Sequence, residues 1–136
     1  MNKPPNTRSF WNAYSDDYQA AHGQTLREAA LSWGVWRIPE AELDVLGNVV
    51  GRDILEFGCG AAQWTLALNA AGARAVGVDL SEQQLRHAQT AAHADGRRAP
   101  LVHGDAERLP FRDSSFDIVF CDHGAIVFAD PDKTVA

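Results

Sequence analysis

Residues 53–62 read DILEFGCGAA, a short and mostly apolar run followed at once by two closely spaced glycines. An apolar run of this length, bounded by turn residues, is typical of a buried strand. The glycines let the backbone turn sharply and approach a ligand closely, and the start of the following helix offers free N–H groups. We therefore expect a strand over Asp53–Phe57, a tight turn, and a helix from about Ala62 to Ala71.

The same alternation of strand and helix continues towards the C-terminus. A capping box, Ser81 with Gln84 three residues on, predicts the start of a second helix that closes near Gly96. Strands separated by helices are typical of a parallel sheet covered on both faces, so we predict an α/β fold, a Rossmann-like three-layer sandwich. The further predicted strands are Arg74–Val78, Pro100–His103 and Phe116–Cys121.

The N-terminal residues read differently, as helices without strands. We therefore divide the chain into an N-terminal helical segment over 1–50 and the α/β domain over 51–136. Gly23 is the predicted end of the first helix, and Pro39 the predicted first residue of a short one that carries Leu43 and Leu46 and ends at Gly47. Aromatic side chains share one face of the first helix: Phe10, Trp11, Tyr14 and Tyr18.

Composition excludes several classes of function. The 136 residues carry 12 basic and 18 acidic side chains, a formal charge of −6, and only Arg97-Arg98 resembles a basic patch. This balance disfavours general binding to nucleic acids or anionic membranes. No apolar run is long enough to span a bilayer, and the first residues lack the apolar core of a signal peptide, so we expect a cytoplasmic protein. Two cysteines predict neither a disulfide scaffold nor a zinc site, and we expect no metal.

Each predicted strand is followed by residues suited to a ligand. Asp79 follows the second strand about twenty residues after the glycines, where a carboxylate can accept hydrogen bonds from both hydroxyls of a ribose. Asp105 follows the third strand, and Cys121, Asp122 and His123 follow the fourth. Any one of these features is usually structural. Together, at the carboxyl ends of parallel strands, they predict a site for a nucleotide-type ligand.

The glycine loop fits a dinucleotide poorly. The dinucleotide fingerprint needs a small residue where Gln63 stands, and the phosphate-binding Gly-Lys-Ser/Thr sequence is absent. Glu56 beside the loop is an unfavourable neighbour for a pyrophosphate. It suits a cationic ligand that carries an ammonium and a sulfonium group.

Four segments together resemble the class I S-adenosylmethionine-dependent methyltransferases, in particular their small-molecule branch. They read ILEFGCG (54–60), VGVDLS (76–81), GDAERLPF (104–111) and FDIVF (116–120), and the resemblance covers roughly residues 50 to 131. It implies methyl transfer from S-adenosylmethionine to a small molecule, with S-adenosylhomocysteine as product. One departure is Ala62, which stands where the family commonly has a third glycine.

The resemblance also implies roles for individual residues. Glu56 and the loop of Gly58, Cys59 and Gly60 would hold the methionine part of the cofactor. Cys121 and Asp122 would lie beside the transferred methyl group. Towards the adenosine part, Asp79 would bind the ribose, Leu80 would pack on the adenine, Asp105 would accept from its amino group and the Ala106 N–H would reach a ring nitrogen.

Two assignments outside these motifs keep an alternative. His123 is the candidate general base, because histidine titrates near neutrality, or it is a packed loop histidine. Tyr14, Tyr18, Trp33 and Trp36 are interpreted as part of a helical lid over the cofactor. The hydroxyl groups of Tyr14 and Tyr18 could reach the cofactor carboxylate from this lid. The same aromatic residues could instead dock the N-terminal helices onto the domain.

Two competing functions remain at this stage, an NAD(P)-binding oxidoreductase domain and a noncatalytic or partial cofactor-binding fragment. Asp130-Pro131 predicts the start of another helix, and the sequence ends one turn later, at Ala136. The resemblance implies a seven-stranded domain, of which we expect the first four strands here. The fourth strand would have an open edge, which a dimer mate or another partner would cover. We expect the chain alone to be inactive or weakly active.

Overall fold

The computed structural model describes residues 6–134. Its helices are α1 (Thr7–Glu28), α2 (Glu40–Leu43), α3 (Gln63–Ala70), α4 (Glu82–Asp95), α5 (Ala125–Phe128) and α6 (Pro131–Thr134). Its strands are β1 (Ser32–Trp33), β2 (Ile38–Pro39), β3 (Asp53–Phe57), β4 (Arg74–Asp79), β5 (Leu101–His103) and β6 (Ile118–Phe120). Among these helices none combines the length and the apolar character needed to cross a membrane.

A parallel sheet of order β5-β4-β3-β6 forms the centre of the molecule, and the predicted α/β Rossmann-like fold is confirmed. In its register Leu55 lies between Val76 on β4 and Val119 on β6. Successive residues of β3 face opposite sides of the sheet. Ile54 therefore packs in one apolar cluster with Trp64 of α3, while Leu55 packs in another.

The outer edge of β6 is open. Within residues 6–134, β6 pairs with β3 alone, and the side chain of Val119 is 53% exposed. The chain then runs through α5 into α6. Pro131 is the first residue of α6, as expected, and the Asp130 carboxylate accepts from the Asp132 N–H at 3.0 Å.

The start of α4 confirms half of the predicted capping box. Ser81 Oγ accepts from the Gln84 N–H at 3.2 Å, and the helix ends at Gly96 in the left-handed conformation. The reciprocal bond does not form, because the Ser81 N–H donates to Asp79 instead. The side-chain oxygen of Gln84 accepts from Gln19 of α1 at 2.9 Å.

The predicted end of α1 at Gly23 is wrong, because the helix continues to Glu28. Gly23 is buried in the middle of this helix. A glycine inside a helix costs about 1 kcal/mol, which packing against the rest of the protein can outweigh. The helix ends where the Ala29 N–H donates to Thr25 O at 3.0 Å.

The segment between α1 and β3 also differs from the prediction. Pro39 precedes the first residue of α2 rather than being it, and α2 ends at Leu43 because Asp44 adopts the left-handed conformation. Leu46 therefore lies beyond the helix, where its N–H donates to the Glu40 carboxylate at 2.6 Å. Strands β1 and β2, which the sequence did not predict, form a small antiparallel hairpin.

Helix α1 packs on the start of α4. Asn12 makes the central contacts, because its Oδ1 accepts from Ser81 Oγ at 2.7 Å and its Nδ2 donates to Glu82 at 2.8 Å. Arg8 forms an ion pair with Glu82, and Asp16 Oδ1 lies 2.8 Å from His87 Nε2. These bonds join residues more than sixty positions apart. The division of the chain at residue 50 stays a prediction.

Candidate functional site

A cavity of about 580 Å³ lies where β3, β4 and β6 end. Its volume is in the range of small-molecule and cofactor sites. The strand ends and the loops that follow them form one side of the cavity, which we call the floor. Helix α1 and the β1–β2 hairpin form the opposite side, which we call the roof.

Glu56 is the most deeply buried acid of the floor, with 5% of its surface exposed. Its Oε1 accepts from the Thr65 hydroxyl at 2.8 Å and from the Thr65 N–H at 3.2 Å. Its Oε2 accepts no hydrogen bond from the described chain. The pKa of Glu56 is raised to about 8, chiefly by burial and in smaller part by the charges of Asp79 and Asp122, while the two bonds from Thr65 lower it.

Asp79 joins the end of β4 to the glycine loop. Its Oδ2 accepts from the Gly60 N–H at 2.8 Å and its Oδ1 from the Ser81 N–H at 2.9 Å. Burial nevertheless raises the pKa of Asp79. Each carboxylate oxygen can accept a second hydrogen bond, so Asp79 both fixes the turn and keeps acceptor capacity for a ligand.

The glycines of the loop serve different purposes. Both adopt positive φ, +72° at Gly58 and +54° at Gly60, where a side chain is strained. A Cβ on Gly58 would lie 2.3 Å from the Ala125 N atom, so only glycine fits here without a shift of the backbone after β6. A Cβ on Gly60 would meet nothing closer than Gln84 Oε1 at 3.8 Å, and Gly60 lines the cavity.

Asp122 connects the floor to the roof. Its carboxylate accepts from the Gly34 N–H of the hairpin at 3.1 Å and from the Trp64 indole N–H at 3.3 Å. Gly34 is far from Asp122 in sequence, and nothing in the sequence pointed to this contact. The hairpin is thus held against the end of β6 by a residue that lines the cavity.

A second part of the floor is formed by the residues that follow β4 and β5. Leu80, Asp105 and Ala106 all line the cavity, as predicted for residues at the ends of these strands. Asp105 is fixed by its own turn, since its Oδ1 accepts from the Glu107 N–H at 3.0 Å. The backbone oxygen of Leu80 lies 3.0 Å from His103 Nε2.

The remaining predicted residues divide between the cavity and its surroundings. His123 and Tyr18 line the cavity together with Glu56, Gly58, Cys59, Gly60 and Asp122. Tyr14 and Cys121 are absent from the lining formed by residues 6–134. The Tyr14 ring packs on its neighbours in α1, and Cys121 Sγ accepts from the Gly124 N–H at 3.2 Å. Cys59 and Cys121 are both free thiols.

His123 and Tyr18 face the cavity from opposite sides. A Cβ on Gly34 would lie 3.4 Å from His123 Nε2, so the imidazole sits under the hairpin. The Tyr18 ring is 4.9 Å from that of His22, and burial raises the pKa of the Tyr18 hydroxyl, as do the charges of Tyr14 and Asp122. A proton acceptor and a phenol therefore border the same space.

Sequence reasoning missed three contributors to this site. Thr65 holds Glu56, Gly34 meets Asp122, and Arg37 brings a cation to the roof. Thr65 lies nine residues after Glu56, a distance at which no pattern indicates pairing. Gly34 and Arg37 lie in the hairpin, which carries no characteristic turn pair.

Comparison with known proteins gives a family. A family model described as a methyltransferase domain matches residues 54–136. A demethylmenaquinone methyltransferase from Clavibacter sepedonicus is 34% identical over 125 residues, which are 90% of this chain and 49% of that protein. Another from Geobacillus stearothermophilus is 41% identical over 73 residues, 51% of this chain and 31% of that protein. The chain spans about half, or less, of the length of these curated relatives.

Solved structures share the fold. The YcgJ protein of Bacillus subtilis superimposes with a TM-score of 0.64 at 30% identity, over 70% of this chain and 41% of that one. Magnesium protoporphyrin IX methyltransferase from Synechocystis PCC 6803, solved with bound SAM, gives a TM-score of 0.65 at 22% identity, over 98% of this chain and 67% of that one. Because the family model covers more than half of the sequence, the chain belongs to the methyltransferase-domain family, with the Rossmann-like fold of class I S-adenosylmethionine-dependent methyltransferases.

Proposed function

We propose that this chain binds S-adenosylmethionine in the cavity and takes part in transferring its methyl group to a small-molecule acceptor. The observation that carries the proposal is the acidic floor. Glu56, Asp79 and Asp122 converge there, and in the described chain no Lys or Arg side chain bonds to any of them. Buried carboxylates of this kind favour a positively charged ligand. The cofactor carries an ammonium and a sulfonium.

The residues present fit the methionine part of this cofactor. Glu56 offers its Oε2 to the amino group, directly or through water, while Thr65 holds the other oxygen. Gly60 leaves cavity space where a side chain would project. Asp122, which lines the cavity, and its neighbour Cys121, which does not, are proposed to lie towards the transferred methyl group. Tyr18, and Tyr14 beside it, are proposed to reach the cofactor carboxylate, Tyr18 more directly because it lines the cavity.

The adenosine part would lie on the other side of the floor. Asp79 accepts from the ribose hydroxyls with the lone pairs that Gly60 and Ser81 leave free. Leu80 packs on the adenine. Asp105 accepts from the adenine amino group and the Ala106 N–H donates to a ring nitrogen. All four residues line the cavity, which supports these roles.

When bound, S-adenosylmethionine supplies a methyl group on a positively charged sulfur, which leaves as a neutral thioether. The protein's work is then to align the acceptor in line with that bond and to exclude water. α1 and the hairpin close the cavity from above. His123 is the proposed base, which takes the acceptor's proton where the acceptor has one to lose.

Calorimetric titration tests cofactor binding. We expect the 136-residue chain to bind S-adenosylhomocysteine and S-adenosylmethionine and to ignore NAD. Glu56→Gln keeps the shape of the side chain and removes its charge, so we expect a loss of affinity of about tenfold or more. Glu42→Gln on α2, outside the cavity, is the matched control and should bind normally. Binding of NAD in place of S-adenosylhomocysteine would overturn the proposal.

We place the reaction in the cytoplasm and propose that a second copy or another partner covers the outer edge of β6. The free state of both cysteines supports a reducing compartment, and the exposure of Val119 supports a covered edge. We expect weak turnover from the chain alone, because the outer edge of β6 is uncovered unless a partner pairs with it. Robust turnover by a monodisperse 136-residue monomer would contradict this expectation.

A further inference from the structure

The roof of the cavity differs chemically from its floor. Its lining combines aromatic and apolar side chains with the uncharged polar side chains of α1 and the hairpin, and Arg37 is the sole Lys or Arg that lines the cavity anywhere in residues 6–134. The Trp11 ring meets the Phe128 ring edge-on at 5.2 Å between centroids, which joins α1 to the loop after β6. The apolar and aromatic lining residues of the roof are Trp11, Tyr18, Leu26, Ala29, Ala30 and Val35, and Phe128 of α5 packs against Trp11 from the side of the floor.

The base of the hairpin is firmly anchored. The Trp33 ring packs at 4.5 Å from the Trp64 ring and at 5.7 Å from that of Phe120. Its indole N–H donates to the Glu40 carboxylate at 2.5 Å. The Gly34 N–H donates to Asp122. These contacts fix the start of the turn that leads over the cavity.

The turn itself brings Arg37 to the cavity. The Arg37 N–H donates to Gly34 O at 3.2 Å, and Arg37 adopts a φ of +52°, which L-residues seldom occupy. Local strain of this kind persists where the surrounding structure holds it. The guanidinium of Arg37 has no hydrogen bond or ion pair to any residue between 6 and 134, although the chain carries an excess of acids.

We infer that the roof is the acceptor compartment and that the acceptor is an apolar, ring-bearing molecule with a carboxylate that pairs with Arg37. The inference rests on the proposed function, because the floor must be taken by the cofactor. Glu56, Asp79 and Asp122 disfavour an anion beside them, so the acceptor's carboxylate is directed to Arg37, as the cofactor's own carboxylate is to Tyr18. There the planar guanidinium can hold both of its oxygens, while the apolar and aromatic side chains cover the rings.

Two probes of one shape test the charge requirement. Biphenyl-4-carboxylate and biphenyl-4-carboxamide differ in charge but hardly in size. We expect the chain saturated with S-adenosylhomocysteine to bind the carboxylate about tenfold more tightly than the amide in a calorimetric titration. Arg37→Gln should abolish that difference, and Arg37→Lys should retain part of it. Arg97→Gln, which alters an arginine outside the cavity lining, should leave it unchanged.

The outcomes separate this inference from the proposed function. If S-adenosylhomocysteine binds and the amide binds as well as the carboxylate, or neither probe binds, the acceptor assignment is wrong and the cofactor assignment stands. If Arg37→Gln preserves the difference, Arg37 is not the anion-binding residue and the inference fails. If S-adenosylhomocysteine itself does not bind, the proposed function fails, and the probes are then compared on the chain without it.

Discussion

At the scale of the single residue, Glu56 explains why the site favours a positively charged ligand. The Glu56 carboxyl group is buried, with one oxygen bonded to Thr65 and the other unbonded within the described chain. Ionising it is therefore costly, and its pKa is raised to about 8. A cation placed at the free oxygen stabilises the ionised form. Ionising Glu56 therefore costs free energy in the unliganded protein, and a positively charged ligand offsets that cost.

This penalty predicts a pH-dependent stability. The pKa of Glu56 is about 8 in the folded protein against an ordinary 4.5, so between these values the folded state binds more protons than the unfolded state. Stability is therefore lost as pH rises through this window. Glu56→Gln has no proton to lose. The free energy of unfolding of Glu56→Gln should therefore exceed that of the original chain by under about 1 kcal/mol at pH 5. The difference should grow to on the order of 4 kcal/mol at pH 8.

Urea unfolding at pH 5, 6, 7 and 8, without ligand, measures this difference. Glu42→Gln serves as the control, and its curve should run parallel to that of the original chain. The raised pKa of Asp79 acts in the same direction, so some pH dependence should remain in Glu56→Gln. Parallel curves for Glu56→Gln and the original chain would contradict the prediction.

The two glycines of the loop predict opposite consequences for the same substitution. Gly58→Ala places a Cβ 2.3 Å from the Ala125 N atom, so we expect a loss of stability of about 3 kcal/mol or more. Gly60→Ala meets no close atom, so its cost should be about 1–2 kcal/mol, from the positive φ alone. Its methyl group enters the cavity, and affinity for S-adenosylhomocysteine should fall.

Thermal unfolding and calorimetric titration of both variants distinguish the two roles. Gly47→Ala, at a positive φ with open space around it, is the matched control for backbone strain. It should lose stability as Gly60→Ala does and keep its affinity. Equal stability losses for Gly58→Ala and Gly60→Ala would refute the close contact with Ala125.

At the scale of the element, the sequence predicted best where local and tertiary preferences agree. The bounds of β3 match the prediction, because an apolar run buried on both faces can be read from the run itself. The N-cap of α4 at Ser81 also matches, since capping is local chemistry. The predicted end at Gly23 is wrong because α1 continues to Glu28, and the cost of about 1 kcal/mol for a glycine is too small by itself to end a helix.

The hairpin was beyond sequence reasoning for a related reason. Leu31, just before β1, and Arg37, at the end of the turn, lie in the left-handed region although neither is a glycine. No propensity indicates such residues there. Its stability comes from Trp33 packing on Trp64 and from the bond between Gly34 and Asp122, all contacts between segments distant in sequence.

Docking of α1 on α4 predicts a local effect of Asn12→Ala. The substitution removes the acceptor for Ser81 Oγ and the donor to Glu82, which are worth about 1–3 kcal/mol. Hydrogen exchange of the α1 amides, followed by mass spectrometry, should accelerate about tenfold. Asp17→Ala, in the same helix and without a side-chain hydrogen bond in the described chain, should change it little. Unchanged exchange in Asn12→Ala would show that aromatic packing alone holds the helix.

At the scale of the whole molecule, the floor of the site was predictable and the roof was not. Parallel strands bring their carboxyl ends to one edge of the sheet, so Glu56, Asp79 and Asp105 were placed by topology alone. Helical spacing put Tyr14 and Tyr18 on one face, but of the two only Tyr18 borders the cavity, while the Tyr14 ring packs on its aromatic neighbours in α1 and is 40% exposed. The path of α1 over the sheet depends on contacts that periodicity cannot indicate.

The open edge of β6 predicts association of the chain. An apolar strand with unpaired backbone groups invites pairing with another strand, and a lysine there blocks it. We expect sedimentation velocity of the 136-residue chain to show concentration-dependent association that Val119→Lys strongly reduces. Val45→Lys, at another exposed valine, is the control. A chain that stays monomeric at every concentration would contradict the prediction.

The approach of the loop after β6 to Gly58 has a thermodynamic consequence. A Cβ on Gly58 would lie 2.3 Å from Ala125 N and one on Gly124 would lie 2.6 Å from Gly58 O, so neither backbone can move towards the other. A ligand that pushes one loop towards the other must therefore shift both. Two ligands that press on these loops from the two sides of the cavity would be linked, and any factor by which the first changes affinity for the second would act equally in reverse.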